Sequence, residues 1–251
     1  MRLGALIGFL PPQSQPTDLA EQAKRYAGEG FDSLWVPQAI GRGFMIPDPF
    51  VALTVAAMAT KDVELGTAVV QISLYQPTDL AHRIFSLMHI CGNRLTLGVG
   101  AGSTETDFIA FGRDYTQRFK TFNSTLARLK TLLADGKDER ANLTPWKTVA
   151  GGPPLIFGTW GAGVERAAKN FDGWVASAHY RTADQVIEAL GRFRAAGGKR
   201  AIVSTIQLTA DHDLGRTKDI LQRFAEAGFD DAVVLLRPGS PNPAEVRALI
   251  K

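Results

Sequence analysis

The sequence predicts a (β/α)8 barrel, and two observations lead there. Eight short, nearly all-apolar, β-rich runs are spread over 251 residues, and between them lie stretches with apolar residues three or four apart. Strands apolar on both faces, each followed by an amphipathic helix, build a parallel sheet covered by helices. Eight such units in a chain of this length close into a barrel. No low-complexity linker interrupts them, so a single domain over 1–251 is expected.

The staves are expected at 2–8, 33–37, 63–70, 94–100, 154–159, 173–177, 201–207 and 231–236. Helices follow from stripes that face one side: Leu19, Ala23, Tyr26 and Ala27; Leu80, Ile84, Leu87 and Cys91; Phe119, Phe122, Leu126, Leu129 and Leu133; Val186, Leu190 and Phe193; Ile220, Leu221 and Phe224. The stretch 47–60 is apolar on nearly every face. The longest departure from the pattern, 135–153, is a polar loop expected on the surface or over the site.

Composition narrows the function. A hydrophobic fraction of 45% suffices for a large core, and the net charge of +3 comes from scattered residues with no basic run. Nucleic acid is therefore not an expected partner. The single cysteine, Cys91, excludes an intramolecular disulfide and a cysteine-based zinc cluster, and a small core residue is expected there. The apolar part of the first residues is too short for a membrane span and lacks a signal peptide's basic start and cleavage site. A cytoplasmic protein without a membrane partner is expected.

In a barrel of this kind the chemistry sits where the staves end. The stretch "RLTLGVGAGS" (94–103) lacks the third glycine of a dinucleotide-binding turn, because the sixth position counted from Gly98 is Ser103. Gly98 and Gly100 serve either turn geometry or the close approach of a flat group across the mouth. Ser103 or Thr104 then caps a short helix with Glu105 or Asp107 in its first turn. After the fifth stave, "PPLIFGTWGAGVERAAKNFDGW" runs through a Gly-rich loop, Gly158, Thr159, Trp160, Gly161, Ala162 and Gly163, directly into a helix. Amides exposed at a helix start, unobstructed by side chains, suit a phosphate.

Of the four histidines, His82 and His89 lie opposite their helix's apolar stripe, and His212 is expected at the surface or as a cap near a helix start. His179, just beyond the sixth stave, stands at the mouth and is the candidate titrating group. No histidine and carboxylate spacing suggests a metal, and no serine or cysteine nucleophile motif occurs.

The stretch "VELGTAVVQISLYQPTDLAHRIFSLMHICGNRLTLGVGAGSTETDFIAFGRDYTQRFK" (63–120) resembles the central segment of the bacterial luciferase-like family of flavin- or deazaflavin-dependent oxidoreductases. The stretch 153–175 is similar to that family's phosphate-loop strand and helix, and "EGFDSLWVP" (29–37) to its second strand. The resemblance implies reduced FMN, or coenzyme F420, with its ring at the mouth near Gly98 and Gly100 and its phosphate on the loop 158–163. It also implies a cis peptide between Ala68 and Val69, in a bulge that props the ring. Where the family often has histidine or an acid after the second strand, this chain has Gln38, which hydrogen-bonds but is no useful acid or base at neutral pH.

The expected activity is that of an FMN-linked monooxygenase acting on a small organic substrate with oxygen, its reduced flavin delivered by a separate reductase. The alternatives are hydride transfer by F420 and a flavin-binding protein without catalysis. The last gains weight from Gln38 and from 207–218, which leaves no room for a long lid. The resemblance and the apolar stretch 47–60, with Phe85 and Met88 off the inward stripe of the next helix, imply a homodimer through 47–60 and 77–91.

Overall fold

The computed structural model describes residues 1–211 and 213–250; the reading of His212 lies outside the described residues. The chain runs β1 (Arg2–Leu6), α1 (Asp18–Gly28), β2 (Ser33–Val36), α2 (Pro49–Ala59), β3 (Glu64–Thr67), β4 (Val70–Gln71), α3 (Pro77–Cys91), β5 (Leu95–Gly100), α4 (Glu105–Ala110), α5 (Arg118–Asp135), β6 (Leu155–Gly158), α6 (Gly163–Asn170), β7 (Gly173–Ser177), α7 (Ala183–Ala195), β8 (Arg200–Leu208), α8 (Leu214–Ala227), β9 (Asp231–Leu236) and α9 (Pro243–Ala248). The strands pair in parallel in the order β3-β2-β1-β9-β8-β7-β6-β5, and the β3–β5 pairing closes the ring. The expected third stave is divided into β3 and β4, with a cis peptide between Ala68 and Val69 at the break. With β3 and β4 as one stave, the structure is the (β/α)8 barrel the sequence predicts.

Alternation along the staves separates two apolar layers. Leu6, Trp35, Ile156, Val175, Ile202, Val233 and Leu235 fill the barrel, while their neighbours Ala5, Leu34, Phe157, Trp174 and Val234 pack under the helices. Trp35 is the largest interior side chain. A Cβ on Gly66 would stand 2.2 Å from its ring, so the glycine is the space the indole occupies. Phe85 and Met88, expected to face a partner, are buried within the chain at 4% and 7% exposure. Helix α3 is wedged between α2 and α5, so its apolar surface is wider than one stripe.

The N-terminal end of the barrel is closed by charge. Glu64 accepts from both Arg200 guanidinium nitrogens at 2.8 and 2.9 Å, and Arg200 Nε donates to Asp231 at 2.9 Å. Arg2 pairs with Glu64 and Asp231, and Thr96 donates to Glu64. Burial alone would push the Glu64 carboxyl up, but its bonds and proximity to Arg200 outweigh that and hold it low. The loop expected on the surface or over the site, 135–153, belongs to this end, because it leads from α5 into β6. Its Asp138 pairs with Arg128, Trp146 stacks on His89 near the end of α3, and the residue that follows the loop, Pro154, accepts from Leu97 of β5. It lies far from the mouth, since a helix-to-strand connection returns to where the staves begin.

Candidate functional site

At the mouth, the backbone turns inward at Ala68 and Val69, and both side chains remain partly exposed. A Cβ on Gly98 would lie 2.0 Å from the Thr67 carbonyl oxygen; on Gly100 and Gly158 it would lie 2.8 and 2.7 Å from Val69 methyls. These three glycines therefore admit the chain's own bulge. The close approach read for Gly98 and Gly100 is met within the chain by Thr67 and Val69, which occupy the space where side chains at those positions would project.

One wall beside this corner is a buried polar chain. Gln38 is 7% exposed; its Nε2 donates to Tyr75 Oη at 2.7 Å and its Oε1 accepts from the Gln71 amide at 2.8 Å. Gln71 Nε2 donates to Asp107 Oδ2 at 2.6 Å, and Asp107, 0% exposed, also takes Arg42 Nε at 2.8 Å and the Ile40 amide at 3.2 Å. Burial pushes the Tyr75 hydroxyl up to about 12, helped by the charge of Asp48, so it stays neutral. Burial also acts to raise the Asp107 carboxyl, yet Arg42 and Gln71 bonds hold it below its ordinary range. Gln38 thus has both ends of its amide committed to the wall. Asp107 is more than the first-turn acid the sequence suggested, and Thr104 stands at the cap of α4 without a capping side-chain bond.

The β6–α6 loop is the second feature. Gly163 donates its amide to Trp160 O at 3.2 Å and Val164 to Gly161 O at 3.2 Å. The Gly163 amide, read as pointing at a phosphate, is therefore already used. The amides of Trp160, Gly161 and Ala162 have no partner among the described residues. Gly161 sits at φ +61° with open space where a side chain would project, and Thr159 Oγ1 occupies the space beside Gly163. Two arginines reach this loop from α7 and the turn before it. The Arg181 guanidinium stands over the Trp160 ring, 4.0 Å from its centre, and Arg192 donates to Gly161 O at 3.0 Å. With Gln185 and Glu188 they line a cavity of about 200 Å³ against Trp160 and Gly161. Amides at a helix start and an arginine that lack, among the described residues, a hydrogen-bond and a carboxylate partner, with a glycine that leaves the approach open, fit the phosphate of a flavin or deazaflavin nucleotide.

The third feature is the opposite rim. A bulge in β8 between Val203 and Ile206, with Thr205 at φ +57°, switches the strand's inward parity, so Gln207 rather than Ile206 faces the barrel. Gln207 Nε2 meets His179 Nδ1. Burial lowers the His179 pKa, and the charges of Arg237 and Arg42 lower it further. His82 and His89 are exposed on α3, as their spacing indicated, and no cluster of metal-ligating side chains exists among the described residues. Sequence reasoning did not single out Gln71, Gln207, Arg42, Arg181 or Arg237. Their one shared signal is position: Gln71 and Gln207 stand at the C-terminal ends of β4 and β8, and Arg42, Arg181 and Arg237 are among the first polar residues after β2, β7 and β9.

The sequence profile of the luciferase-like monooxygenase family matches residues 5–213. A 4-hydroxyprotoasukamycin monooxygenase of Streptomyces nodosus subsp. asukaensis is 32% identical over 57% of this chain, a span that is 40% of that relative's own length. A 5,10-methylenetetrahydromethanopterin reductase of Methanolobus tindarius is 28% identical over 91% of this chain and 73% of its own. Among solved structures, the monooxygenase RslO1 from Streptomyces bottropensis superposes with a TM-score of 0.79 at 18% identity, over 99% of this chain and 96% of that one. The oxygenating constituent of 3,6-diketocamphane monooxygenase from Pseudomonas putida, in complex with FMN, gives 0.69 at 19% identity over 88% and 71%. The coenzyme F420 dependent tetrahydromethanopterin reductase from Methanopyrus kandleri gives 0.71 at 16% identity over 99% and 96%. These structural likenesses establish the barrel, and the profile establishes the lineage: the chain belongs to the luciferase-like monooxygenase family of oxidoreductases.

Proposed function

We propose that the chain is an FMN-dependent monooxygenase acting on a small organic substrate, its reduced flavin supplied by a separate reductase. The observation that carries this reading is the β6–α6 loop, where three amides unpartnered among the described residues, Gly161 and Arg181 form a phosphate seat two staves along the ring from the apolar corner Ala68–Val69. When bound, reduced FMN supplies the electrons that activate oxygen for transfer to the substrate. The chain's residues do the rest. The loop amides and Arg181 hold the phosphate, Ala68 and Val69 offer an apolar shelf to the ring, and His179 presents Nε2 to the mouth from a ring held through Nδ1 by Gln207. Gln38, Gln71 and Asp107 fix the wall without moving a proton.

A second reading, F420-dependent hydride transfer, is favoured by the methanopterin-reductase relative, which aligns over 91% of this chain. Titrations of the purified protein with FMN, riboflavin and F420, read by flavin fluorescence and absorption, test both. Saturable FMN binding with oxygen uptake on reduction supports the first. Preference for F420 selects the second, binding without oxygen uptake leaves a flavin carrier, and binding of neither removes the assignment.

The protein also forms a homodimer in this proposal. Helix α2 leaves Val51 and Met58 58% and 76% exposed with partly exposed Val55 between them, and Ile90 of neighbouring α3 is 42% exposed. An apolar stripe on a helix already packed on its other face suits a second copy. No helix among the described residues is long and apolar enough to cross a membrane. A cytoplasmic site of action goes with this reading.

A further inference from the structure

Arg237, Phe9, Gln207 and His179 leave the barrel from β9, β1, β8 and β7, four staves that are consecutive in the ring. Val233 and Leu235 face the barrel interior, so the parity of β9 directs Arg237 inward at the rim. Its guanidinium lies over the Phe9 ring at 5.2 Å. That cation–π contact uses none of the group's N–H donors. No side-chain or carbonyl acceptor meets them among the described residues. The other mouth arginines are used differently. Arg42 is neutralised by Asp107, Arg192 bonds Gly161 O, and Arg181 stands over the β6–α6 loop.

His179 completes the pair. Gln207 Nε2 faces Nδ1, and the tautomer that satisfies this pair has Nδ1 accepting and the ring proton on Nε2. Nε2 has no partner among the described residues. His179 and Arg237 leave β7 and β9, which only β8 separates in the ring, and it is β8 whose Gln207 meets His179; burial lowers the imidazole's pKa, and the charge of Arg237 adds to that.

We propose that this rim is a second anion site, in which the Arg237 guanidinium and the His179 Nε2–H grip the carboxylate of the substrate. It rests on the reading of the mouth as the active site and names the substrate class: a small organic acid whose apolar body lies beside Phe9, against the flavin ring that the Ala68–Val69 shelf carries. A guanidinium matches a carboxylate with two parallel bonds, and the imidazole N–H adds a third from the side. The phosphate seat at the β6–α6 loop lies at a different stave, so cofactor and substrate anions do not compete.

The test uses 2-naphthoate and its uncharged isostere 2-naphthamide, titrated calorimetrically into the protein with and without FMN. Wild type binds naphthoate more tightly than naphthamide. Arg237→Met weakens naphthoate by about tenfold or more, leaving naphthamide and FMN affinities unchanged. His179→Phe, a variant independent of Arg237, weakens naphthoate in the same selective way. Equal wild-type affinity for the two probes, absence of saturable naphthoate binding, or naphthoate affinity unaffected by both substitutions overturns the proposal. Failure of FMN to bind overturns the flavin reading instead, since the naphthoate measurement does not need the flavin.

Discussion

Arg42 and Asp107 form a two-point ion pair in which Nε donates to Oδ1 at 2.8 Å and a terminal guanidinium nitrogen to Oδ2, joining the β2–α2 loop to α4. The carboxylate is wholly buried while the Arg42 side chain is 28% exposed. The pair therefore anchors from inside a loop whose outer residues, Phe44 and Met45, are 54% and 84% exposed.

Removing Asp107 takes the partner from the part-buried Arg42 and leaves the Gln71 side-chain amide and the Ile40 N–H without their acceptor. Asp107→Ala is expected to destabilise by about 3 kcal/mol at neutral pH. The pH dependence follows from the sign of the shift. The folded carboxyl titrates below its ordinary value, so its contribution is complete above about pH 4 and is lost as the pH falls through the folded value. Urea unfolding between pH 7 and pH 3 checks this: the gap between wild type and Asp107→Ala should close on the acid side.

The charged cluster at the other end should affect folding and spare the site. Arg200→Met strips Glu64 and Asp231 of the more buried of their two shared partners, leaving them only Arg2, and is expected to cost about 3 kcal/mol, with FMN affinity unchanged. Thermal unfolding and flavin titration on the same variant give both numbers. A loss of flavin binding without a loss of stability would contradict the separation of the two ends.

At the phosphate seat, charge and backbone strain separate through two substitutions. Gly161 sits in the left-handed region, so Gly161→Ala and Gly161→Asp share the strain of a side chain there, about 1 kcal/mol. Only the aspartate repels a phosphate. Gly161→Asp should weaken FMN by well over tenfold relative to Gly161→Ala while riboflavin, bound weakly by wild type, responds to neither, as read by fluorescence quenching.

His179 is expected to titrate below its ordinary value near 6.5, because burial and two neighbouring guanidiniums disfavour its charged form. Arg237→Met removes one of those charges and should move the midpoint upward. Proton-detected NMR of the imidazole across pH 5 to 8 reads both. An unmoved midpoint would place Arg237 away from the ring.

Val51→Asp combined with Met58→Asp puts two charges on the exposed stripe of α2 and should convert a dimer to a monomer in sedimentation at micromolar protein, with the barrel intact by circular dichroism. A wild-type monomer at that concentration removes the dimer.

The barrel itself was legible because its cause is local. Apolar runs such as 231–236 and stripes such as Leu126, Leu129 and Leu133 follow the periods of strand and helix, and each element declares its buried face without reference to the others. The β6–α6 loop was legible for the same reason, being a strand, glycines and a helix start in unbroken order. The cis peptide at Ala68–Val69 came from likeness to a family; nothing in those two residues declares it. What only the tertiary structure decided are relations between residues distant in the chain. The space over Gly98 belongs to Thr67 and that over Gly158 to Val69, because the β5 and β6 staves close on the bulge. Asp107 looked like a helix-capping acid until Arg42, 65 residues away, was found beside it. Gln207 reaches His179 only because a bulge reverses the parity of β8, a shift of one residue that no apolar pattern records when polar and apolar side chains alternate at the rim. The sequence determines which elements form and which faces they bury; which polar groups meet at the mouth is set by how eight staves are staggered as the ring closes.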